Sequence, residues 1–342
     1  MSLQSAVLMG IGIYFLMMLW IAYSTKKHET EDDFVIGSRK VGIIPTVASI
    51  ASGLRDGAGI VVWVGLGFLL GYAGILWLIL GLTIGTILLG LYGPRMRDLA
   101  AKNSCITIGQ MVRHFIGSRT AKYISFIIIL FSTLVIAMQL FVAGNLISKI
   151  ADIAPVFGIL FSALVVAMYL MSGGYKAVIK TDTLQFFIIL SLIFIPLFIQ
   201  PKLVDMKDLS TVFAMGTENN IAILIIGVMY MLAGADIWQR IFSAKDGKTI
   251  VKSISMFPIF LFIMTLSLMW LGMGARNFVT TTNSDDVLFL LFKSPEIPVA
   301  VLAYIAIVII SITMSTLDTY TYLLSSTYLE DFTKYDVKKH KK

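Results

Sequence analysis

The sequence predicts an all-α polytopic membrane protein, and three observations predict it. Hydrophobic residues make up 58% of the 342-residue chain and charged residues only 14%. Nine apolar segments are long enough to cross a hydrocarbon core of ~30 Å. The basic residues gather in alternate loops. A soluble domain carries about a quarter charged residues to cover its water-facing surface. This chain cannot, so its main solvent is lipid.

The first segment, 3–24, has no basic stretch before it and no small-residue cleavage pattern after it. It is too long for a signal-peptide core and reads as a span. The others run over 42–70, 72–92, 120–148, 154–173, 181–199, 220–241, 251–275 and 298–327. The stretch Ile106–Ile116 is too short to span and is expected along the membrane surface, with Arg113 and His114 toward water. No linker or low-complexity run divides the chain, so 1–342 is read as one transmembrane domain.

Loops at 26–40, 95–122, 176–180, 240–252 and 334–342 hold twenty-one of the 27 Lys and Arg residues. The opposite side holds five: Lys149, Lys202, Lys207, Arg276 and Lys293. By the positive-inside rule the N-terminus lies outside and the C-terminus in the cytoplasm, as in a cell (inner) membrane. The net charge of +7 is thus a topology signal spread over five loops, which disfavours a nucleic-acid partner. The basic tail Lys338–Lys342 reads as a stop signal. One cysteine, Cys105, excludes an internal disulfide and a cysteine zinc site. His28, His114 and His340 lie beside charged residues and read as solvated.

Charges inside spans are expensive and point to function by default. They are Arg55 and Asp56 in the second span, Asp182, Asp236 and Asp318. Asp182 and Asp236 lie near inner span ends, within reach of the cytoplasmic interface. The other three lie deeper. Around Arg55-Asp56, Gly53, Gly57 and Gly59 each lower helix propensity by ~1 kcal/mol. Such a segment can unwind where it lines a cavity, exposing carbonyls for cations and helix N-termini for anions. The competing reading makes Gly53 and Gly57 a helix-packing pair and Arg55-Asp56 a structural ion pair. In the last span, Ser315-Thr316-Leu317-Asp318-Thr319 gathers hydroxyls and a carboxylate on neighbouring faces, although hydroxyls also bond their own helix carbonyls. No His-Glu-x-x-His, Gly-x-Ser-x-Gly or phosphate-binding Gly-x-x-x-x-Gly-Lys-Ser/Thr occurs, which disfavours an enzyme.

Four segments resemble the sodium:solute symporter family. They are Asp32-Asp33-Phe34-Val35-Ile36-Gly37-Ser38-Arg39; Gly173-Gly174-Tyr175-Lys176-Ala177-Val178-Ile179-Lys180-Thr181-Asp182-Thr183-Leu184-Gln185; Asp236-Ile237-Trp238-Gln239-Arg240 through Lys245; and Ser315-Thr316-Leu317-Asp318-Thr319 followed by Ser325-Ser326. The second is the most specific. The resemblance implies a LeuT-type inverted-repeat bundle: a leading helix (3–24), a first repeat (42–199), a second repeat (220–327) and a cytoplasmic tail (328–342). It further implies sodium-coupled symport of a small organic solute by alternating access. Its sodium ligands would be the carbonyls of Ser52, Arg55 and Ile312 with the hydroxyls of Ser315 and Thr316, a register anchored by Gly65-x-Gly67-x-x-x-Gly71. A second sodium site, which some members have, would fall on Asp182, Asp318 and Thr319. Arg55, Asp56, Gly59 and Tyr230 fall at substrate-binding positions. Arg55-Asp56 is unusual there and suggests a charged substrate, while Ala58 and Gly59 replace polar residues and disfavour a sugar.

Counted against that fold, the sequence supplies the leading helix and eight of ten core helices. The expectation is therefore a truncated product, a fragment, or one subunit of an assembly whose partner supplies the missing helices. A ligand-sensing or accessory protein on the same scaffold is the alternative function.

Overall fold

The computed structural model describes residues 2–26, 30–71, 76–200 and 216–333. The tail Lys338–Lys342, Lys27, Lys202, Lys207, Lys334, His28, His340 and the segment start at 72–75 lie outside the described residues. Helices dominate, with one isolated backbone bridge between Val41 and Ala244.

The leading helix α1 (Leu3–Lys26) is followed by the short α2 (Glu31–Ile36) and a 3-10 turn at Gly37–Arg39. A reciprocal cap starts α2: the Thr30 hydroxyl accepts the Asp33 N–H and Asp33 accepts the Thr30 N–H. Next come α3 (Ile43–Gly53), α4 (Gly57–Leu70), α5 (Leu76–Lys102), α6 (Ile108–Phe115) and α7 (Ser118–Ala151). Helix α6 falls within the stretch read as too short to span and is capped by Thr107 and Gln110 in the same reciprocal way.

Helix α8 (Pro155–Leu190) contains two expected spans. At 1.5 Å per residue its 36 residues measure about 54 Å if straight, too long for one crossing. It is not straight: Gly174 has φ 48° and ψ −147°. Contacts with α1 show that the chain reverses there. Phe161 before the glycine packs on Phe15, with ring centroids 5.2 Å apart. Gln185 after it donates to the hydroxyl of neighbouring Tyr14 at 2.6 Å. Near the bend, Lys180 instead meets Thr25 at the far end of α1, at 3.0 Å. Only a glycine accepts this positive φ without strain, and a Cβ there would strike Phe34.

The rest is a 3-10 stretch (Ser191–Leu197), α9 (Thr217–Ala233), α10 (Ala235–Ser243), α11 (Gly247–Ala275), the short α12 (Val287–Leu291) and α13 (Val299–Phe332). Two spans are broken: α3 and α4 meet at 70°, α9 and α10 at 41°. The first break is the expected one. The second, at Gly234, has no counterpart in the local sequence reading.

Helix α13 is the hub. It packs against α1, α7 and α8 and touches both α3 and α4. In its most apolar stretch 78% is buried, against 22% for α7. The outer face of α7 (Phe126, Leu130, Leu134, Met138, Phe141) is exposed and apolar, as suits contact with lipid chains.

Candidate functional site

The site forms where the α3–α4 break meets α13. Residues 54–56 leave the helix, and Asp56 begins α4 by accepting the Gly59 N–H on its carboxylate at 2.6 Å. The Gly57 N–H goes to Gln139 Oε1 on α7 at 2.7 Å. A Cβ on Gly57 would lie 2.7 Å from Thr313 Oγ1 and 2.9 Å from that same Gln139 oxygen. Glycine therefore lets the start of α4 press against α7 and α13. The break is held from both sides, as exposed backbone inside a membrane requires.

Opposite it, the Thr316 hydroxyl donates to the Arg55 carbonyl at 3.0 Å and lies 3.4 Å from the Ile312 carbonyl. Three of the five expected sodium-ligand oxygens thus converge. They are uncharged oxygens on an unwound segment and a facing helix, the donor set that sodium sites in broken helices use. Ser52 and Ser315 are buried nearby but engaged elsewhere. The Ser52 carbonyl accepts the Arg55 N–H at 3.1 Å, and the Ser315 hydroxyl donates to Asp182 Oδ1 at 2.6 Å.

Arg55 and Asp56 do not form the ion pair of the competing reading. The Arg55 side chain, 3% exposed, turns toward α11, where Nη2 donates to Thr265 Oγ1 and to the Leu261 carbonyl at 3.1 Å. Its guanidinium carbon lies 5.6 Å from the Trp63 ring centre, within cation–π range, and its Nε has no hydrogen-bond partner among the described residues. Asp56 is committed to the α4 N-terminus, where a carboxylate both caps and opposes the helix dipole. Gly59 belongs to that cap: the carboxylate oxygens sit 3.3 Å from where its Cβ would be. Tyr230 stands apart, lining a cavity of about 210 Å³ with Phe131, Ser132, Gly234 and Tyr320 at the second break.

The three residues expected to hold a second ion divide. Asp182 is fully buried and accepts from Ser49, Ser315 and Arg240. Thr319 accepts from Arg240 at 2.8 Å. Asp318 turns to α8, taking the Tyr169 hydroxyl at 2.8 Å and the Thr181 hydroxyl at 3.4 Å, while its Oδ1 has no hydrogen-bond partner among the described residues. Asp182 and Asp236 do not reach the interface: their residues are 0% and 2% exposed. Arg240 was counted with the cytoplasmic loop cations, yet it is 2% exposed. Its i,i+4 spacing from Asp236 was the available signal. Gln139, Ser49 and Tyr169 carried no such signal, because nothing near them in sequence reveals their partners.

Beyond the site, on the side expected to be cytoplasmic, hydrogen bonds tie several elements together. Arg39 donates to the carbonyls of Phe242 at 2.7 Å and Cys105 at 2.6 Å. Arg97 reaches the Ala244 carbonyl at 3.0 Å, and Tyr322 donates to the Val35 carbonyl at 2.5 Å. Asp33 pairs with Lys176 at 2.9 Å. Partial burial raises the Asp33 pKa, but hydrogen bonds from Lys176, Ser38 and the Thr30 backbone outweigh it and hold it at about 2.

Comparison with known proteins agrees with this architecture. The family model described as the Sodium:solute symporter family matches residues 34–342. The osmoregulated proline transporter OpuE of Bacillus subtilis (strain 168) is 31% identical over 190 residues, covering 52% of this chain and 37% of that protein. Sodium/proline symporter 2 of Staphylococcus saprophyticus is 25% identical over 95% of this chain and 68% of its own length. The chain therefore spans about two thirds of the staphylococcal protein, and its match covers well under half of OpuE. A solved structure of a Na+-coupled sialic acid symporter, in a substrate-bound outward-open state, superimposes with a TM-score of 0.77. That likeness covers 98% of this chain and 75% of the other at 17% identity, and it shows the fold.

Proposed function

The chain belongs to the sodium:solute symporter family, and from that premise we propose that it serves sodium-coupled uptake of a small carboxylate-bearing solute by alternating access. The observation that carries this reading is the convergence of the Thr316 hydroxyl with the Arg55 and Ile312 carbonyls at the α3–α4 break. Sodium is cargo here, held by Arg55, Ile312 and Thr316, with Ser52 and Ser315 close by.

The substrate class follows from Arg55. Its guanidinium is buried and, among the described residues, forms no ion pair with a carboxylate and leaves Nε unpartnered. A buried cation without a counter-ion is costly, and a substrate carboxylate relieves that cost on binding. Asp56 and Gly59 act by holding the start of α4, and Tyr230 lines the cavity at the second break. Since the relatives named above are proline transporters, proline is the first substrate to test.

Uptake requires the site to face outside and cytoplasm in turn. The clasp formed by Arg39, Arg97 and Tyr322 supports an inner side closed in this conformation. The charge distribution supports an N-terminus outside and a C-terminus in the cytoplasm of the cell membrane.

The test is uptake of labelled proline into proteoliposomes under an inward sodium gradient, with a potassium gradient of equal strength as reference. Sodium-specific accumulation that Thr316→Ala abolishes supports the reading. Accumulation that is equal with either cation sinks it.

A further inference from the structure

Beside the α3–α4 break the protein buries a cation of its own. All five guanidinium N–H groups of Arg240 find acceptors. Nε gives to Ser49 Oγ at 2.6 Å. Nη1 gives to the Asp236 carbonyl at 3.1 Å and its carboxylate at 3.4 Å. Nη2 gives to Thr319 Oγ1 at 2.8 Å and Asp182 Oδ2 at 3.3 Å. A guanidinium has five such donors and no more. The acceptors come from α3, α10, α13 and α8, so one side chain ties four helices. Gly53 makes the space: a Cβ there would lie 2.6 Å from Nη2.

Two of the three residues expected to hold a second sodium ion, Asp182 and Thr319, are thereby already ligated to a cation. The remaining bonds of Asp182 are taken by Ser49 and Ser315. An arriving sodium ion would have to break charge-assisted hydrogen bonds. It would also sit against a fixed positive charge where water screens little. Asp318, the third residue, faces Tyr169 and Thr181 instead. An arginine is always protonated, so this cation does not leave at physiological pH.

We infer that Arg240 is the permanent, tethered cation of the Asp182–Thr319 site, and that the chain consequently binds a single sodium ion, at the α3–α4 break. The inference rests on the sodium-carrier reading above for that single ion. The occupancy of the Asp182 site by Arg240 is a separate matter.

The experiment counts sodium ions bound per purified chain by equilibrium binding of radioactive sodium, with potassium as competitor control. Wild type, Asp182→Asn, Arg240→Lys, Arg240→Ala and the Asp182→Asn/Arg240→Ala double variant are compared. The expected counts are one for wild type and Arg240→Lys, one for Asp182→Asn, two for Arg240→Ala, and one again for the double variant. A wild type that binds two ions and loses one in Asp182→Asn overturns the inference. So does a folded Arg240→Ala that still binds one. If Arg240→Ala fails to give a monodisperse protein, the wild type and Asp182→Asn decide alone: equal counts support the inference, and a lost ion overturns it. A wild type that binds no sodium defeats the carrier reading. Arg240→Ala then still judges the tether, by whether it gains an ion that depends on Asp182.

Discussion

Replacing Thr316 by valine keeps the size and branching of the side chain and removes one oxygen. In this structure that oxygen faces the Arg55 carbonyl at 3.0 Å and the Ile312 carbonyl at 3.4 Å, in a residue 1% exposed. Without an ion the loss is one neutral hydrogen bond, about 1 kcal/mol of stability. With sodium present the loss is larger, because a polar group facing a charge contributes about 1.5–3 kcal/mol. At about 1.4 kcal/mol per factor of ten, sodium affinity falls roughly 10- to 100-fold. The assay is thermal unfolding of purified protein titrated with sodium chloride against potassium chloride at equal ionic strength. Wild type gains stability saturably with sodium, and Thr316→Val needs a correspondingly higher concentration. Thr321→Val is the control, since that hydroxyl bonds only its own helix, at the Leu317 carbonyl 2.7 Å away. If both variants respond to sodium like wild type, Thr316 is not a ligand and the site has been misplaced.

Three further outcomes are expected. Arg55→Ala abolishes uptake of the carboxylate solute but leaves sodium binding in place, because the sodium ligand at that residue is the backbone carbonyl. Undiminished uptake by the variant would show that the guanidinium does not meet the substrate. Gly174→Ala is destabilised by about 1–3 kcal/mol from its positive φ alone, with more from the clash with Phe34. A wild-type melting temperature would contradict the reversal. The Asp33–Lys176 pair makes stability depend on acid. Since the Asp33 pKa drops from 3.8 to about 2 on folding, its contribution is fully present above pH 3.8 and disappears as pH falls through about 2. That contribution is on the order of 1–2 kcal/mol. Asp33→Asn flattens the unfolding midpoint across that window, and an unchanged acid dependence would assign the effect to another carboxylate.

Over the described residues, the apolar segments read from composition appear as single helices, as the two broken pairs, or as part of α8 and the 3-10 stretch after it, because lipid leaves a backbone of this length no other way to satisfy its polar groups. The break at 54–56 was legible from Gly53, Gly57 and Gly59 around two charges, since local helix propensity is written locally. Thr316 was placed at that break by the family resemblance, and its hydroxyl does face the Arg55 carbonyl. Asp56 was legible as important but not in its role. An aspartate three residues before a glycine reads equally well as a helix cap or as half of an ion pair with Arg55, and the choice depends on whether α11 offers Arg55 a better place. It does, through Leu261, Thr265 and the approach of Trp63.

Composition and helix propensity thus determined by themselves that the chain is an apolar helical bundle suited to a membrane and where one helix must unwind. These follow from forces that act within a few residues or along the membrane normal. The tertiary structure alone decided which charges face each other. Arg240 meets Asp182 across 58 residues of chain, Gln139 meets Gly57 across 82, and Asp318 turns from Asp182 to Tyr169. Electrostatic and hydrogen-bond energies depend on distances between helices, and those distances are set by packing around α13 rather than by neighbours in sequence.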